Sequence, residues 1–175
     1  LLNLAYSFKN PDYLRLNSVD KAMLKFATLF HDVSKPEGEI DKTHQITSSY
    51  MARNIIAKFI KNPNTTDRII DLIQNHHWSE EFANAADKRE KAMELAFRFK
   101  IPNDFEIAKI MAKSDINSVS NNFYETHKSA LDDNNLAIIQ EMLDRIYASG
   151  CAIISDTIST SRPNAIESVE IKGKK

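Results

Sequence analysis

The sequence predicts an all-α protein, an irregular bundle of about six helices with a small C-terminal appendage. Only three glycines and five prolines occur in 175 residues, which leaves few tight turns and favours long helices. Apolar residues also recur three and four positions apart along most of the chain, as on the buried face of a helix. The length is typical of one domain, which we predict over residues 1–150, followed by a strand or tail over 151–175.

The first helices are predicted from apolar periodicity and helix-breaking residues. Residues 1–9 are apolar enough for a helix that ends before Pro11. Ser18 is the expected N-cap of the next helix, and Pro36 and Gly38 end that helix.

Two further helices are predicted after this loop. The first runs from about His44 to Lys61 and ends before Pro63, and Thr65 or Thr66 is the expected cap of the second. The second helix closes with the segment "NHHW".

The second half of the chain continues the helical pattern. Residues 79–100 are expected as a helix that breaks near Asn84, and Pro102 starts another helix. Residues of about 122–149 form the last long helix, closed by a glycine. The segment "CAIISDTIST" at 151–160 is rich in β-branched residues and is expected to be a strand.

Composition excludes several classes of function. The net charge of −1 gives no bulk electrostatic reason to expect nucleic acid or an anionic membrane as a partner. No apolar run approaches the roughly 18 residues of a membrane span, and no signal peptide is recognisable. Cys151 is the single cysteine, so a reducing cytoplasm is the expected compartment. Because the chain begins at Leu1 rather than a methionine, we expect further domains upstream.

Histidine and aspartate gather at the predicted helix ends. Imidazole and carboxylate groups suit a divalent ion that binds and polarises phosphate oxygens, and helices that reverse direction can bring such positions together. The candidate residues are His31, Asp32, His44, His76, His77 and Asp115.

Each candidate also has an ordinary structural interpretation. A histidine beside an apolar run is usually half-buried with a hydrogen-bond partner, and Asp115 could be an exposed residue of an amphipathic helix. Lys35 could be a solvated loop lysine. If the candidates are only structural, four such placements of histidine or aspartate must have arisen by coincidence, in one order along the chain. His127 joins no pattern and is expected at the surface.

The segment "FATLFHDVSKP" resembles the signature of the HD superfamily, the helical metal-dependent phosphohydrolases, which reads apolar-apolar-His-Asp-x-x-Lys. The segments "THQITSSYMA", "LIQNHHW" and "AKSDINS" are similar to the later motifs of that superfamily. The resemblance covers residues of about 20–120. The stretch "SDINSVSNNFYETHKSAL" further resembles the HD domains attached to bacterial nucleotidyltransferases, notably the uridylyl-removing domain of the nitrogen-signalling uridylyltransferase.

The resemblance implies a set of metal ligands. His31, Asp32 and Asp115 would ligate a divalent ion, which could be Mg, Mn, Fe, Ni or Zn. The family's first ligand is a histidine upstream of the His-Asp pair, and the stretch before His31 contains none. Either that ligand lies outside this chain or it has been replaced, with Asn3, Asn10 and Asp12 as the candidates.

The resemblance also implies roles for the remaining residues. His44 and His76, together with His77, would bind a second metal or contact the phosphate. Lys35 would hold a phosphate oxygen as a point charge. Asp32 would help to orient a water molecule for attack at phosphorus, so that Asp32 and Lys35 are the expected catalytic residues.

The predicted function is metal-dependent hydrolysis of a phosphate ester, as a phosphomonoesterase or phosphodiesterase. The substrate would be a nucleotide, another small phosphate ester or a nucleotidylated protein. One alternative is a non-catalytic HD module that binds a nucleotide and regulates a larger nucleotidyltransferase-like protein. Another is a plain helical interaction domain whose histidines are incidental.

Overall fold

A computed structural model describes residues 2–35, 43–99, 101–118 and 128–160 of the chain. These residues form eight α-helices and no strand, which confirms the all-α prediction. The count exceeds six because short segments, such as the seven residues Trp78–Asn84, form separate helices. The helices are α1 (Leu2–Lys9), α2 (Ser18–Phe30), α3 (His44–Phe59), α4 (Pro63–Gln74), α5 (Trp78–Asn84), α6 (Lys88–Phe99), α7 (Pro102–Ser118) and α8 (Asp133–Thr160), with 3₁₀ turns at Pro11–Arg15 and Lys128–Leu131.

Asparagine side chains cap α2 and α4, where Ser18 and the threonines after Pro63 were expected. The Asn17 side chain accepts a hydrogen bond from the backbone N–H of Asp20 at 2.9 Å. The Asn62 side chain accepts two backbone N–H groups at 3.0 and 3.3 Å. Asparagine is among the best N-cap residues, so both helices begin earlier than expected, and in α4 the proline after the cap already has helical φ.

The C-terminal strand prediction is wrong. Residues 151–160 continue α8 as one unbroken helix. A helix that has already formed adds one hydrogen bond for each further residue, and Gly150 in its interior costs only about 1 kcal/mol relative to alanine. β-Branched residues are only slightly less favourable than leucine in such an extension.

The start of the last helix also differs from the expectation. The helix begins at Asp133 rather than near residue 122, after the 3₁₀ turn at Lys128–Leu131. Residues 119–127, which include His127, lie outside the described part of the chain, as do residues 161–175. The division into a domain and an appendage at residue 150 stays a prediction.

Helix α7 lies at the centre of the bundle and contacts α1, α2, α4, α6 and α8. Its buried residues include Phe105, which packs edge-on against Trp78 with ring centroids 5.3 Å apart. The Trp78 indole N–H donates to the carbonyl of Ala108 at 3.3 Å, so this fully buried side chain also satisfies its polar group. The start of α5 is thereby fixed against α7.

Helix α4 packs against α2, α3 and α7. Its apolar face is fully or almost fully buried and belongs to the same core as the inner face of α2. This packing places the C-terminal ends of α2 and α4 beside the N-terminus of α3. Among the described helices, none combines the length and the apolar character that crossing a bilayer requires.

Candidate metal centre

The residues singled out by the sequence lie together where α2 and α4 end, α3 begins and α7 passes. The turn after α2 is tied to the start of α3 by Ser34, whose backbone N–H donates to Ser48 Oγ at 3.1 Å and whose hydroxyl donates to the His44 carbonyl at 3.0 Å. The structure brings together all six predicted ligands: His31, Asp32, His44, His76, His77 and Asp115.

His31 is held at the C-terminal end of α2 by a backbone carbonyl. Its Nδ1 atom lies 2.9 Å from the carbonyl oxygen of Thr28, and because a carbonyl can only accept, Nδ1 carries the hydrogen. In the neutral ring Nε2 therefore has a lone pair. That atom is 3.4 Å from Asp115 Oδ1 and 3.6 Å from Asp32 Oδ2. A nitrogen lone pair and two carboxylate oxygens thus face one another. A proton or a bound cation must offset their mutual repulsion.

His76 follows the same arrangement at the end of α4. Its Nδ1 atom lies 2.7 Å from the carbonyl oxygen of Ile73, three residues earlier, so its Nε2 atom also faces the cluster with a lone pair in the neutral ring. Nε2 of His76 is 3.3 Å from Nε2 of His44. Adjacent Trp78 is fixed in the core, and this holds the turn that carries His76 and His77 in place.

The carbonyl anchors were not predicted from the sequence. A signal for them exists, because the last four carbonyls of any α-helix lack an intrahelical partner and are available to a side chain just past the helix end. Both His31 and His76 occupy such a position and use the carbonyl three residues earlier.

Asp32 lies between two groups of ligand atoms. Its Oδ2 atom faces His31, while its Oδ1 atom is 2.9 Å from His44 Nε2 and 3.5 Å from His76 Nε2. Oδ1 is buried, and no described group makes a hydrogen bond of acceptable geometry with it. A buried carboxylate oxygen without a proper hydrogen bond is costly, and a bound cation would remove that cost.

The electrostatics of the centre follow from this crowding. Burial acts to raise the pKa of Asp32, but the nearby imidazoles of His76 and His31 and the ammonium group of Lys35 hold that pKa well below its usual value. Burial would lower the pKa of His31, but the hydrogen bond to Asp115 and the two carboxylate charges outweigh it and raise that pKa.

Asp115 and His77 are shifted by the same neighbours. Burial acts to raise the pKa of Asp115, yet the hydrogen bond and charge of His31 lower it. Burial, reinforced by the charges of His76 and His44, lowers the pKa of His77 to about 4. Asp115 is therefore ionised and His77 neutral near pH 7, which are the forms that bind a metal.

Lys35 stands at the rim of the centre. Its ammonium nitrogen is 3.2 Å from Asp32 Oδ2, and about half of its side chain is exposed. A cation in this position lies beside the half-buried Asp32 carboxylate and still reaches solvent.

One of the three candidates for the missing upstream ligand reaches the centre. Asn3 of α1 donates from Nδ2 to Asp115 Oδ1 at 2.9 Å, and the same nitrogen is 3.5 Å from His31 Nε2. Asn10 caps the first 3₁₀ turn and Asp12 pairs with a neighbouring arginine, so neither contacts the centre in the structure.

The donor atoms fit a divalent metal ion. One ligand atom from each of His44, His76 and His77 falls within 4.8 Å of the others. A second group consists of His31 Nε2 with the oxygens of Asp32 and Asp115. Mixed imidazole and carboxylate donors suit zinc, iron, nickel and manganese, and the orphaned Asp32 oxygen between the groups gives the cation a further ligand.

Comparison with known families identifies the domain. The sequence model of the HD domain matches residues 9–148. The chain belongs to the HD domain family. No curated protein and no solved structure matches it significantly. HD domains are commonly metal-dependent hydrolases, which agrees with the donor set. The match does not distinguish the type attached to nucleotidyltransferases, and Asn3 lies upstream of the matched residues.

Proposed function

We propose that this HD domain is a metal-dependent phosphohydrolase for a nucleotide or another small phosphate ester. The observation that carries the proposal is the position of Asp32, a half-buried carboxylate with a buried Oδ1 atom and one oxygen toward each of two groups of inward-facing ligand atoms. A helical bundle has no structural need for such an arrangement, because buried polar groups are ordinarily satisfied within the protein.

Each group would hold a divalent ion. His31, Asp32 and Asp115 form one ligand set. His44 and His76, together with His77, form the other, and Asp32 belongs to both. When bound, a divalent ion at such a centre supplies a Lewis acid for a phosphate oxygen and a water molecule of lowered pKa.

The protein's own side chains would position the substrate. Lys35 can place its ammonium group on a phosphate oxygen while it remains next to Asp32, at 3.2 Å. The histidine rings are held by backbone carbonyls and packing, so their orientation does not have to be established when the substrate binds. Asp32 would orient the attacking water toward phosphorus.

One observation favours the regulatory alternative, a non-catalytic module that binds a nucleotide. The Asn3 amide donates to Asp115 Oδ1, an oxygen that a metal beside His31 would use. In this alternative the amide hydrogen would satisfy Asp115 in place of one of the two ions, and an ion at the group of His44, His76 and His77 would bind the ligand without hydrolysing it.

Metal content and turnover, measured on matched variants, test the proposal. The wild-type chain is loaded with Mn²⁺, Ni²⁺ or Zn²⁺, its metal is counted by mass spectrometry, and hydrolysis of p-nitrophenyl phosphate and bis-p-nitrophenyl phosphate is followed. Asp32→Asn should lose both bound metal and hydrolysis. Asp67→Asn, which removes an exposed carboxylate paired with Arg53, is the control and should keep both.

Three results would decide between the alternatives. Stoichiometric metal with turnover of either ester, lost in Asp32→Asn, supports the phosphohydrolase. Metal binding without turnover of any phosphate ester favours the regulatory module. If no metal binds to the wild type, both interpretations fail and the centre is structural.

A further inference from the structure

A cavity of about 660 Å³ lies between α1, the 3₁₀ turn after it, α7 and the second 3₁₀ turn. None of the histidines of the metal centre lines it. The cavity shares α1 and α7 with that centre, and Ser114, which lines it, immediately precedes Asp115. Its volume is within the range of pockets that bind small molecules, about 300–1,000 Å³.

The lining of the cavity is basic although the chain as a whole carries a net charge of −1. Among the described residues that line it are Lys9, Lys113 and Lys128, against one carboxylate, that of Asp12. A concave surface lined by one sign of charge concentrates counter-ions more strongly than the same charges on a flat surface. The cavity is therefore a local site for an anion in a protein without bulk affinity for polyanions.

The Asp12 carboxylate does not neutralise Lys9 and Lys113. Asp12 Oδ2 is 3.7 Å from the Lys113 ammonium, and its other oxygen is 3.4 Å from Arg15. Lys9 lies over the ring of Tyr6, 5.7 Å from its centroid, and within the described chain no carboxylate forms a salt bridge with it. Lys9 and Lys113 thus keep positive charge available to a ligand.

The same cavity presents apolar surface. Tyr6, Ile116 and Leu131 contribute to the lining alongside the lysines. An aromatic ring and aliphatic side chains next to ammonium groups suit a ligand that has a charged end and a flat or apolar body.

We propose that the cavity between α1 and α7 binds a phosphate-bearing small molecule of nucleotide size. Lys9 and Lys113 contact its phosphate oxygens, and Tyr6 packs against its remaining part. Lysine binds phosphate as a point charge through charge-assisted hydrogen bonds. The site requires no metal, so it does not rest on the hydrolytic function.

The test is isothermal titration of ADP and of pyrophosphate into the whole chain in the presence of EDTA, which prevents any metal-bridged binding. We expect one molecule of ADP per chain in the wild type. The double variant Lys9→Ala/Lys113→Ala should weaken binding about tenfold or more, since each lost ammonium–phosphate contact removes a charge-assisted hydrogen bond. Lys9 is exposed and Lys113 about one-third exposed, so the variant should fold, which circular dichroism checks.

Two controls make the outcome decisive. Lys58→Ala/Lys61→Ala removes the same charge at the end of α3, away from the cavity, and should leave ADP affinity within about twofold. Asp32→Asn should also leave it unchanged. Absence of binding by both ADP and pyrophosphate overturns the proposal. Equal weakening in the two double variants would reduce it to a bulk charge effect, and loss of binding in Asp32→Asn would place the ligand at the metal centre instead.

Discussion

The helices α2, α4 and α7 bury a polar cluster in each of two regions, and the two clusters are built differently. Toward their N-terminal halves, Arg68 of α4 makes a forked pair with Asp104 of α7, at 3.0 and 3.2 Å from Nε, and lies 3.7 Å from Asp20 of α2. Toward their C-terminal ends, His31 and Asp115 bring lone pairs and carboxylate oxygens together without a fixed cation.

The difference separates a structural cluster from a candidate functional one. In the first cluster the protein supplies its own cation, and Asn17 donates a further hydrogen bond to Asp20 at 2.6 Å. In the metal centre, Asp32 keeps a buried oxygen to which no residue in the described part of the chain makes a proper hydrogen bond. A cluster that satisfies itself stabilises the fold, whereas the metal centre, whose described residues offer Asp32 only the half-exposed ammonium group of Lys35 as a fixed cation, is prepared to bind a metal ion.

The largest expected effect is the loss of the structural cation. Arg68→Met should lower the free energy of unfolding by about 3 kcal/mol, because it leaves Asp20 and Asp104 buried without a positive partner. Urea denaturation measures it. Arg53→Met, which breaks the exposed pair with Asp67, is the control and should cost less than about 1 kcal/mol. A loss as small as that of the control would show that the cluster is not structural.

Metal binding should stabilise the protein through the metal centre and should not depend on the cluster of Arg68, Asp20 and Asp104. At a free metal concentration of about 100 times Kd, the wild type should gain about 2.7 kcal/mol in the free energy of unfolding, and EDTA should reverse the gain. Asp32→Asn should show almost no metal-dependent gain in the free energy of unfolding. Arg68→Met is less stable without metal but should gain as much on metal binding as the wild type does. An equal gain in Asp32→Asn would mean that the metal binds elsewhere.

A variant of Lys35 tests whether the centre binds phosphate as well as metal. Lys35→Ala should weaken inhibition by inorganic phosphate about tenfold, which corresponds to 1.4 kcal/mol, since its exposed ammonium contributes a screened charge-assisted hydrogen bond. Metal affinity should stay the same or rise, because a nearby positive charge is removed. Lys58→Ala is the matched control. Unchanged phosphate inhibition in Lys35→Ala would make this residue a solvated loop lysine.

The smallest expected effect is a dependence of stability on pH in the metal-free chain. The folded-state pKa of His31 is raised above its usual value of 6.5, so its stabilising contribution is complete below that value and is lost as pH rises through the folded-state pKa. The melting temperature in EDTA should therefore fall across this range, and less steeply in His31→Gln. The charge of Arg68 should not change, because the hydrogen bond to Asp104 raises its pKa further.

Saturating metal should reverse this slope. A metal ion requires the deprotonated imidazole, so its stabilising effect grows as pH rises. If the slope is the same with and without metal, His31 does not take part in metal binding.

The local sequence determined most of the secondary structure and the candidate ligands. Periodicity located α2, α3 and α4 because each buries one face, a property that neighbours three and four positions apart reveal. The sequence-based prediction failed at 151–160, where β-branched residues indicated a strand. The helix from Asp133 continues through these residues, because extending an existing helix outweighs their weak intrinsic preference for a strand.

The tertiary structure alone decided how the polar residues are used. The segment "AKSDINS" marks Asp115 by its resemblance to an HD motif, but no local rule states that Asp104 pairs with Arg68 while Asp115, eleven residues further along the same helix, faces His31. Only the packing of α1, α2 and α4 around α7 decides which carboxylate has a fixed cation and which does not. The charge balance of a buried group depends on neighbours distant in the chain, and that information is absent from any local window of the sequence.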